Sequence, residues 1–558
     1  MTSTLHADPI ARSLTGLAPE LSDDYAAALP RATQLVTRRL LGAVCRERLA
    51  PVAWAGGRTR LAGDWYRMRR YGFGRIEVDD PVSVPLRRVL GALGLNGTAV
   101  AHEMHDACRN LALAYARRTR ADETLRTAAR LAGAPDLLAL AEPLPADEQM
   151  LLFERLSTAG HNLHPCGRTR LGWSLADVLA HDLESPGTAV AFVAVQRSAH
   201  TGDDVGGLLR AAYPWLPSPP PGYVLQPVHA WQLEAVVKRR HAGLVESGIL
   251  RLVPGAVLRA APTAALRTVL LEPDARGVQR YLKLSLDIQV TSTRRSISLA
   301  SARNGPAVSA LLTDLLADAP QVLLMHEVAG AAVHCAGRDM TAILRNGLST
   351  QLHPGEVAVP AGALPATSPL TGRPVLAELV DRYPGTPLDF VEAYARLLLQ
   401  PVLRTAAAGI GLEAHLQNSI PTFRDGVPYR IAFRDFAGLR IHTPRLHERT
   451  GRRLALQPGS VIATHDLNVL RAKAGYTTFQ AHLGEILLQL AEARTIDEAA
   501  GWHRVRGVLE EARAADPDDH GFWTAPTMPH KALLRMRLVP DRGDIYVPVR
   551  NPLNKVRF

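Results

Sequence analysis

Between Leu282 and Val290, apolar and polar residues alternate at every position. This period of two predicts a single strand of an antiparallel sheet, with one apolar face in the core and one polar face. The polar face would carry Lys283, Ser285, Asp287 and Gln289. A straight strand rises about 3.3 Å per residue, so Lys283 and Thr291 would lie about 26 Å apart unless the chain bends.

Other stretches predict helices. Residues 1 to about 160 are rich in Ala, Leu and Arg, with apolar residues three and four positions apart, which is typical of helices. Thr386–Pro387 predicts the start of a second helical part, kinked at Pro401 and ended by Gly409. Residues 465–515 predict further amphipathic helix. Asp425–Gly426 predicts a turn between two strands. The fold class expected from these elements is α+β.

Composition narrows the classes of protein. At 558 residues the chain should form two to four domains, and no apolar run is long enough to span a membrane. The N-terminus has no apolar signal-peptide core and the four cysteines form no CxxC pair, so we expect a cytoplasmic protein. A net charge of +11 favours small anionic ligands. The basic residues are not interleaved with aromatics, which argues against nucleic acid as a partner.

Lysine is scarce in this chain. Only five lysines stand among 64 basic residues, and one of them, Lys283, lies on the polar face of the predicted strand. Arginine does not replace lysine where a compact point charge must meet a phosphate, so Lys283 is a candidate phosphate ligand. The alternative is that a lysine falls in this strand by chance.

The loop Gly160–Gly172 places two histidines and two arginines just before a predicted helix. Ser174 and Asp177 have the spacing of a capping box, so the helix should begin there. Guanidinium groups beside a helix N-terminus are suited to binding phosphate. Two alternatives remain open, a solvated basic loop and a zinc site built on His161 and His164, although no third zinc ligand is nearby.

The stretch Glu413–Asp435 combines carboxylates, amides and a histidine. Asn418 and Asp435 are 17 residues apart, and Asp435 begins an Asp-Phe-Ala-Gly sequence. In protein kinases an Asn and the Asp of a similar motif hold magnesium. No aspartate occupies the interval from His415 to Asn418, so the kinase base is missing. Nucleotide and metal binding are therefore predicted, with polar groups that only cap the hairpin as the alternative.

Seven segments in order resemble the NRPS-independent siderophore (NIS) synthetases, the IucA/IucC-like family with a FhuF-like C-terminal region. They are Gly160–Gly172, Pro227–Gln232, Leu266–Thr268, Lys283–Arg295, Glu413–Asn418, Arg434–Phe436, and Lys531–Arg537 with Asn551–Leu553. The first is similar to the family pattern G-H-P-x-H-P-x-x-K-x-R-x-G. Departures from the family pattern are Asn162, Arg168, Ala230 and Ala265.

The resemblance implies a cupped-hand α+β architecture. A helical thumb would span residues 1–158, a β-rich, ATP-binding fingers domain 159–328, and a mixed α+β palm with a helical C-terminal part 329–558. The implied protein is an AMP-forming ligase that adenylates citrate or a related carboxylate and condenses it with an amine or hydroxyl. ATP and Mg²⁺ would be required, and a homodimer is expected, with neither nucleic acid nor membrane as partner.

The resemblance also implies roles for individual residues. Arg295 and His415 would be catalytic and bind the substrate carboxylate, and Glu413 and Asp435 would bind magnesium. ATP contacts would fall on His161, His164, Arg168, Arg170, Arg267, Lys283, Thr291, Arg295, Gln417 and Asn418. Two rival hypotheses remain, a kinase-like phosphotransferase of small molecules and a non-catalytic iron-handling or interaction protein with the same fold.

Overall fold

The computed structural model describes residues 8–55, 58–79, 84–291, 293–513, 516–539 and 543–555, and it has an α+β fold. The N-terminal part is mainly helical. Thr98 accepts a hydrogen bond from Ala101 N at the start of its longest helix, and Gly133, at φ +65°, ends it. The helices are α1 (Pro9–Leu17), α2 (Ser22–Arg46), α3 (Leu86–Ala92), α4 (Ala99–Ala132), α5 (Leu137–Ala141) and α6 (Ala146–Glu154).

A four-stranded antiparallel sheet interrupts these helices, which the sequence patterns did not predict. Its strands, β1 (Ala53–Ala55), β2 (Arg58–Leu61), β3 (Asp64–Tyr71) and β4 (Arg75–Val78), pair in chain order. The strands are short, and arginines occupy most of the exposed positions of β2 and β3. Because few residues of each strand are apolar, the period of two was too brief to stand out against the helical pattern around it.

An eight-stranded sheet forms the centre of the molecule. The strands are β5 (Thr188–Gln196), β6 (His200–Gly202), β7 (Tyr223–His229), β8 (Leu250–Pro262), β9 (Thr268–Leu271), β10 (Arg280–Leu284), β14 (Glu327–Val333) and β15 (Thr341–Asn346). Their order in the sheet is β6-β14-β15-β10-β9-β8-β5-β7, and all pairs are antiparallel. Short helices flank it: α7 (Leu175–His181), α8 (Val205–Ala212), α9 (Ala230–Gln232), α10 (Lys238–Arg240) and α11 (Ala242–Glu246).

The alternating stretch is two strands rather than one. Strand β10 ends at Leu284 within the large sheet, and β11 (Leu286–Val290) pairs instead with β12 (Thr293–Arg295). The break falls at Ser285, whose Oγ accepts hydrogen bonds from Ile297 N and Thr341 N at 3.4 and 3.3 Å. Period-two alternation continues across the break, so the sequence could not reveal it. Lys283 and Thr291 therefore do not lie on one straight strand, and the separation expected for such a strand does not apply to them.

The C-terminal part combines a mixed sheet with helices. Strands β13 (Val322–Leu324), β16 (Val357–Ala358), β18 (Ser419–Arg424) and β19 (Val427–Phe433) form the sheet, in which β13 and β19 are parallel. The smaller pairings involve β17 (Ile410–Gly411), β20 (Arg440–His442), β21 (Ala463–Thr464), β22 (Thr527–Lys531) and β23 (Tyr546–Arg550). Asp425–Gly426 forms the turn between β18 and β19, as predicted.

The helices of this part are α12 (Leu299–Leu315), α13 (Val375–Arg382), α14 (Pro387–Ala407), α15 (Thr443–Thr450), α16 (Leu467–Gly475), α17 (Gly484–Glu492), α18 (Glu498–Glu511), α19 (Pro517–Trp523) and α20 (Leu533–Leu538). The predicted caps are confirmed: Thr386 with Asp389 and Ser174 with Asp177 each form a capping box. Helix α14 continues through Pro401, and Gly409 follows its end at φ +93°.

The largest hydrophobic core joins the two ends of the chain. It packs Phe73, Leu137 and Phe153 from the N-terminal part with residues of α14, α17 and α18, including Phe390 and Trp502. No helix within the described ranges is both long enough and apolar enough to cross a bilayer. The domain limits remain a proposal. Because β14 and β15 complete the central sheet, we propose that the second domain extends to residue 346 rather than 328.

Candidate functional site

A cavity of about 1000 Å³ opens between the N-terminal helices, the loop Gly160–Gly172 and the C-terminal part. Ligand pockets usually range from about 300 to 1000 Å³, so this one has room for more than one small molecule. Arginine and lysine side chains outnumber carboxylates two to one along its lining. Of the residues predicted from sequence, it is lined by His161, Arg168, Arg170, Thr291, Arg295, Glu413, His415 and Gln417.

Glycine and histidine shape the loop at the cavity wall. Gly160 has φ +66°, and a Cβ there would lie 2.6 Å from Gly167 O, so another residue would not fit without displacing the loop. His161 Nδ1 accepts a hydrogen bond from Leu163 N at 3.1 Å. Burial, and then His164 and His415, keep the pKa of His161 well below its usual value. His161 is therefore neutral and carries its proton on Nε2, which makes that atom a donor.

His164 belongs to the same loop but is buried and does not line the cavity. Its Nδ1 accepts from Cys166 N at 3.0 Å, and burial, with Arg537 and Arg39 adding to it, lowers its pKa to about 3. It too is neutral, so it shapes the loop rather than contributing charge. Asn162, at a proline position of the family pattern, donates to Glu485 Oε2 at 2.8 Å, so this departure ties the loop to helix α17.

The two loop arginines are paired with carboxylates. Arg170 donates to both oxygens of Asp182, at 2.9 and 3.0 Å, and Arg168 donates to Asp182 and Glu184 at 3.2 and 2.8 Å. Both arginines are almost fully buried. Burial opposes ionisation of Asp182, but Arg168 and then Arg170 outweigh it and lower the pKa of the carboxyl. The charges of the two arginines are therefore largely neutralised by carboxylates of the protein, which the sequence did not indicate.

Arg295 is different because no carboxylate within the described ranges forms an ion pair with it. Its Nη2 lies 3.4 Å from Thr291 Oγ1, and its buried Nε has no hydrogen-bond partner. Burial, together with the nearby Arg267 and Arg170, lowers the pKa of Arg295 to about 9. A buried guanidinium that lacks a counter-charge is costly. The cavity thus holds a cation suited to an anionic ligand.

Thr291 and Arg267 support Arg295 from two sides. Thr291 has φ +56°, which is rare for a β-branched residue and marks a strained turn at the cavity wall. Arg267 Nη1 donates to the carbonyl oxygens of Ser296 and Arg295 at 3.1 and 3.4 Å, which fixes the strand that carries Arg295. Ala265, at a serine position of the family pattern, accepts from Arg267 N at 2.7 Å through its backbone oxygen, a bond that needs no hydroxyl.

Lys283 and Asp435 form a buried ion pair beside the cavity rather than on its lining. Burial opposes the charge on both partners. It lowers the pKa of Lys283, whereas for Asp435 the charges of Lys283, Arg345 and Arg267 outweigh it and lower the pKa. Asp435 has φ +66°, a strained backbone conformation for a residue other than glycine. Asp435 also acts electrostatically on Arg295 and His415, so the pair adjoins the cavity groups.

Glu413 is paired with a second lysine, Lys473, at 2.5 Å. Burial opposes ionisation of Glu413, but Lys473 and then His415 outweigh it and lower the pKa to about 2. A Cβ at Gly438 would collide with Glu413 Oε2, which explains the glycine at that position. The sequence study missed Lys473. The rarity of lysine is the signal that could have pointed to Lys473, because Lys283 and Lys473 are two of only five lysines in the chain.

His415 interacts electrostatically with both carboxylates, Glu413 and Asp435. Burial lowers its pKa, while Glu413 and Asp435 partly oppose the shift, so the ring is neutral near pH 7. Its Nδ1 accepts from Gln417 N at 3.2 Å, and the proton therefore lies on Nε2. Gln417 is exposed and lines the cavity. Asn418 is buried and donates from Nδ2 to Glu413 O at 3.3 Å, so it holds the turn.

A π-helical segment, Tyr476–Leu483, joins α16 to α17 and supports this turn. Lys473 contacts Glu413, Thr477 Oγ1 donates to Leu412 O at 3.4 Å, and His482 Nδ1 donates to Ala414 O at 3.0 Å. In a regular α-helix, residues 477 and 482 would point about 140° apart, because each residue turns about 100°. The i→i+5 pattern of the π-helix brings them onto one face.

No cluster of three or more His, Cys, Asp or Glu side chains among the described residues could hold a metal ion, so magnesium would need phosphate oxygens of a nucleotide in addition to carboxylates. Magnesium prefers oxygen ligands and is usually held by one or two carboxylates plus substrate phosphates. Glu413 and Asp435 are both ionised, and both act on His415. Each carboxylate now contacts a lysine, Lys473 or Lys283, whose ammonium group would be available to phosphate oxygens.

The fold and this cavity define an α+β protein with a large cavity whose lining is predominantly basic. The family model described as "IucA / IucC family" matches residues 149–366, and that described as "Ferric iron reductase FhuF-like transporter" matches residues 388–545. The chain is therefore similar to the IucA/IucC family of NIS siderophore synthetases over residues 149–366 and has a FhuF-like region over residues 388–545. The resemblance in sequence is confirmed.

Two curated relatives and one solved structure each match more than half of the chain. The chain is 29% identical to the D-ornithine–citrate ligase of Staphylococcus aureus over 59% of this chain and 56% of that protein. It is 26% identical to a citryl-spermidine/3,4-dihydroxybenzoyl-citryl-spermidine:spermidine ligase of Bacillus anthracis over 71% of each. Among solved structures, ATP-bound aerobactin synthetase IucA of Klebsiella pneumoniae superposes with a TM-score of 0.76 at 18% identity, covering 94% of this chain and 100% of that one.

Proposed function

We propose that the protein is an ATP-dependent, AMP-forming ligase of siderophore biosynthesis, which joins a carboxylate of the citrate class to an amine or hydroxyl. The observation that carries the proposal is Arg295, a half-buried arginine on the cavity wall whose Nε is buried without a hydrogen-bond partner and which has no carboxylate partner among the described residues. Two further findings support it: the relatives named above are citrate and spermidine ligases, and the superposed IucA contains ATP.

The substrate carboxylate would bind to Arg295 and His415. A carboxylate accepts two parallel hydrogen bonds from a guanidinium, which gives both energy and orientation. His415 would donate from Nε2, since its Nδ1 already accepts from Gln417 N. This arrangement favours His415 as a donor that orients the acid and stabilises charge over a role as general base.

The nucleotide phosphates would lie near Lys283, Arg267, Thr291 and the His161 Nε2 donor, with Gln417 beside them. Arg168 and Arg170 are already bound to Asp182 and Glu184, so we propose that they position the loop while His161 makes its contact. His164 and Asn418 would act in the same indirect way. Glu413 and Asp435 would hold Mg²⁺, which when bound neutralises phosphate charge.

The reaction would proceed in two balanced steps. A carboxylate oxygen of the acid attacks the α-phosphorus of ATP; a new O–P bond forms, the α–β phosphoanhydride bond breaks, and pyrophosphate leaves with the electron pair. An amine nitrogen or hydroxyl oxygen then attacks the acyl carbon. The bond from that carbon to the AMP oxygen breaks, AMP leaves, and the nucleophile's proton passes to solvent. Positioning and charge neutralisation are what the cavity residues supply.

The test is a panel of di- and tricarboxylates incubated with the full-length protein, ATP, Mg²⁺ and hydroxylamine. Hydroxylamine traps an activated acyl group without needing the natural nucleophile. We expect hydroxamate, pyrophosphate and AMP in equal amounts with at least one tricarboxylate. Accumulation of ADP instead would support a kinase-like phosphotransferase. Absence of turnover, together with no thermal shift on adding nucleotide, would support a non-catalytic protein.

A further inference from the structure

One face of helix α2 lines the same cavity from the N-terminal side. The cavity-lining residues of this helix are Asp24, Ala27, Ala28, Arg31, Leu35, Arg38, Arg39, Gly42 and Arg46, at the three-, four- and seven-residue intervals that place side chains on one side of a helix. We call Arg31, Arg38, Arg39 and Arg46 the arginine face. It lies on a different part of the chain from the residues that would bind ATP, magnesium and the acid.

Arg46 is a member of the arginine face with an unsatisfied hydrogen-bond donor. Its buried Nε has no hydrogen-bond partner, and no carboxylate within the described ranges forms an ion pair with it. Burial, with Arg75 adding to it, lowers its pKa to about 10. Gly42, one turn earlier, packs against the backbone of Ile76, so the helix is firmly placed.

The carboxylates around Arg46 are engaged elsewhere. Glu47 accepts hydrogen bonds from Leu534 N and Arg535 N at 3.0 and 2.7 Å. Glu77 and Glu485 both form ion pairs with Arg75. The protein therefore supplies neighbouring negative charge to Arg75 while leaving Arg46 without a direct counter-charge.

Tyr476 provides a second unsatisfied polar group at the same place. Its Oη is buried without a hydrogen-bond partner, Tyr476 lines the cavity, and its phenol lies close enough to Arg46 for the two to interact electrostatically. A guanidinium donor and a hydroxyl donor, both unsatisfied, form a suitable receptor for one carboxylate.

This pair lies close to the proposed reaction centre. Tyr476 follows Lys473 by three residues, a separation of roughly 5 Å along a helix, and Lys473 contacts Glu413. Arg39 lies between the two ends of the cavity: it acts electrostatically on His161, and its Nη1 donates to Ala159 O at 2.7 Å. A molecule of a few carbon atoms held at Arg46 could extend its other end toward the activated acyl group.

We infer that the nucleophile is an amine that itself carries a carboxylate, such as a diamino acid, and that Arg46 and Tyr476 bind this carboxylate. The inference rests on the proposed function and deepens it. It distinguishes between the kinds of amine that the relatives' names contain, because ornithine bears a carboxylate and spermidine does not.

The test uses pairs of amines that differ only in the carboxylate: ornithine with 1,4-diaminobutane, and 2,3-diaminopropanoate with 1,2-diaminoethane. Amide formation is measured for each amine as kcat/KM, with the acid, ATP and Mg²⁺ saturating. Hydrogen bonds to charged groups are stronger than neutral ones, so we expect a preference of at least about tenfold for a carboxylated member, which corresponds to about 1.4 kcal/mol. In Arg46→Ala that preference should fall about tenfold, mainly through KM.

Tyr476→Phe provides a second, milder variant in case Arg46→Ala does not fold, and its preference should fall severalfold. Arg239→Ala, which removes an exposed arginine away from the cavity, is the matched control. The inference is overturned if the amine without a carboxylate is used equally well, or if Arg46→Ala affects both members of a pair alike. It is also overturned if neither amine is used while hydroxylamine still yields hydroxamate, an outcome that leaves the proposed function intact.

Discussion

Two sets of arginines line the cavity, one buried and one half-buried, and they differ in whether carboxylates neutralise them. Arg168 and Arg170 are bound to Asp182 and Glu184, whereas Arg295 and Arg46 have no carboxylate partner among the described residues. The ion pairs of the first set hold a loop in place. The second keeps its charge available for a ligand, at a cost in folding free energy. The residue type is the same in both sets, so it does not distinguish these roles. The presence or absence of a carboxylate partner does.

The largest effect that separates the two sets is expected for Arg295→Ala. Removing one charge-stabilising donor from an active site typically costs about 10²–10³ in rate, so pyrophosphate release should fall by at least about 100-fold. The free energy of unfolding should stay the same or rise, because an unpaired buried cation is lost. Both are measured on one preparation, by a pyrophosphate assay and urea unfolding. Near-normal pyrophosphate release would refute the role given to Arg295.

The opposite pattern is expected for Asp182→Asn, which leaves Arg168 and Arg170 without their shared carboxylate. Breaking a buried ion pair from one side costs about 3–5 kcal/mol, and the free energy of unfolding should fall by that order. The control is Asp177→Asn, which weakens an exposed helix cap and should cost only about 1 kcal/mol. Equal effects of the two substitutions in urea unfolding would show that the buried pairs do not hold the loop.

A smaller effect tests the burial of His482, which is fully buried and does not line the cavity. Burial lowers the pKa of His482 to about 4 from the ordinary 6.5. Between those values the unfolded chain binds more protons than the folded one, so stability is full above pH 6.5 and is lost as pH falls through about 4. The loss amounts to at most about 3 kcal/mol.

The measurement is urea unfolding between pH 4 and 7. In His482→Gln the free energy of unfolding should depend less on pH over this range, although it will be lower overall because bonds to Ala414 and Tyr394 are weakened. His503→Gln, which removes an exposed histidine, should retain the wild-type slope. An unchanged slope in His482→Gln would mean that the ring is not held neutral by its burial.

Local patterns predicted much of the fold. The capping boxes at Ser174 and Thr386 and the turn at Asp425–Gly426 depend on residues within a few positions of each other, and all three are confirmed. The break at Ser285 depends instead on hydrogen bonds from Ile297 and Thr341, which lie far along the chain. No periodicity within the segment could reveal it.

The same division applies to the site. The Glu413–Asp435 stretch could be recognised because its polar groups are clustered in sequence. The contribution of Arg46 could not, because arginines at helical spacing in an Ala/Leu-rich segment look the same whether they face solvent or a cavity. The ion pairs of Arg168 and Arg170 were equally hidden, since Asp182 and Glu184 follow a whole helix later.

The π-helical segment Tyr476–Leu483 makes chain length itself a structural requirement. Lys473 and Thr477 are four residues apart and would share a face of an ordinary helix, but His482 joins them against Leu412–Ala414 only because of the i→i+5 pattern. Deleting a single amino acid there would restore ordinary helical geometry and rotate His482 away, although every side chain that touches substrate would still be present. Tolerance to substitution and tolerance to deletion should therefore diverge sharply in this segment.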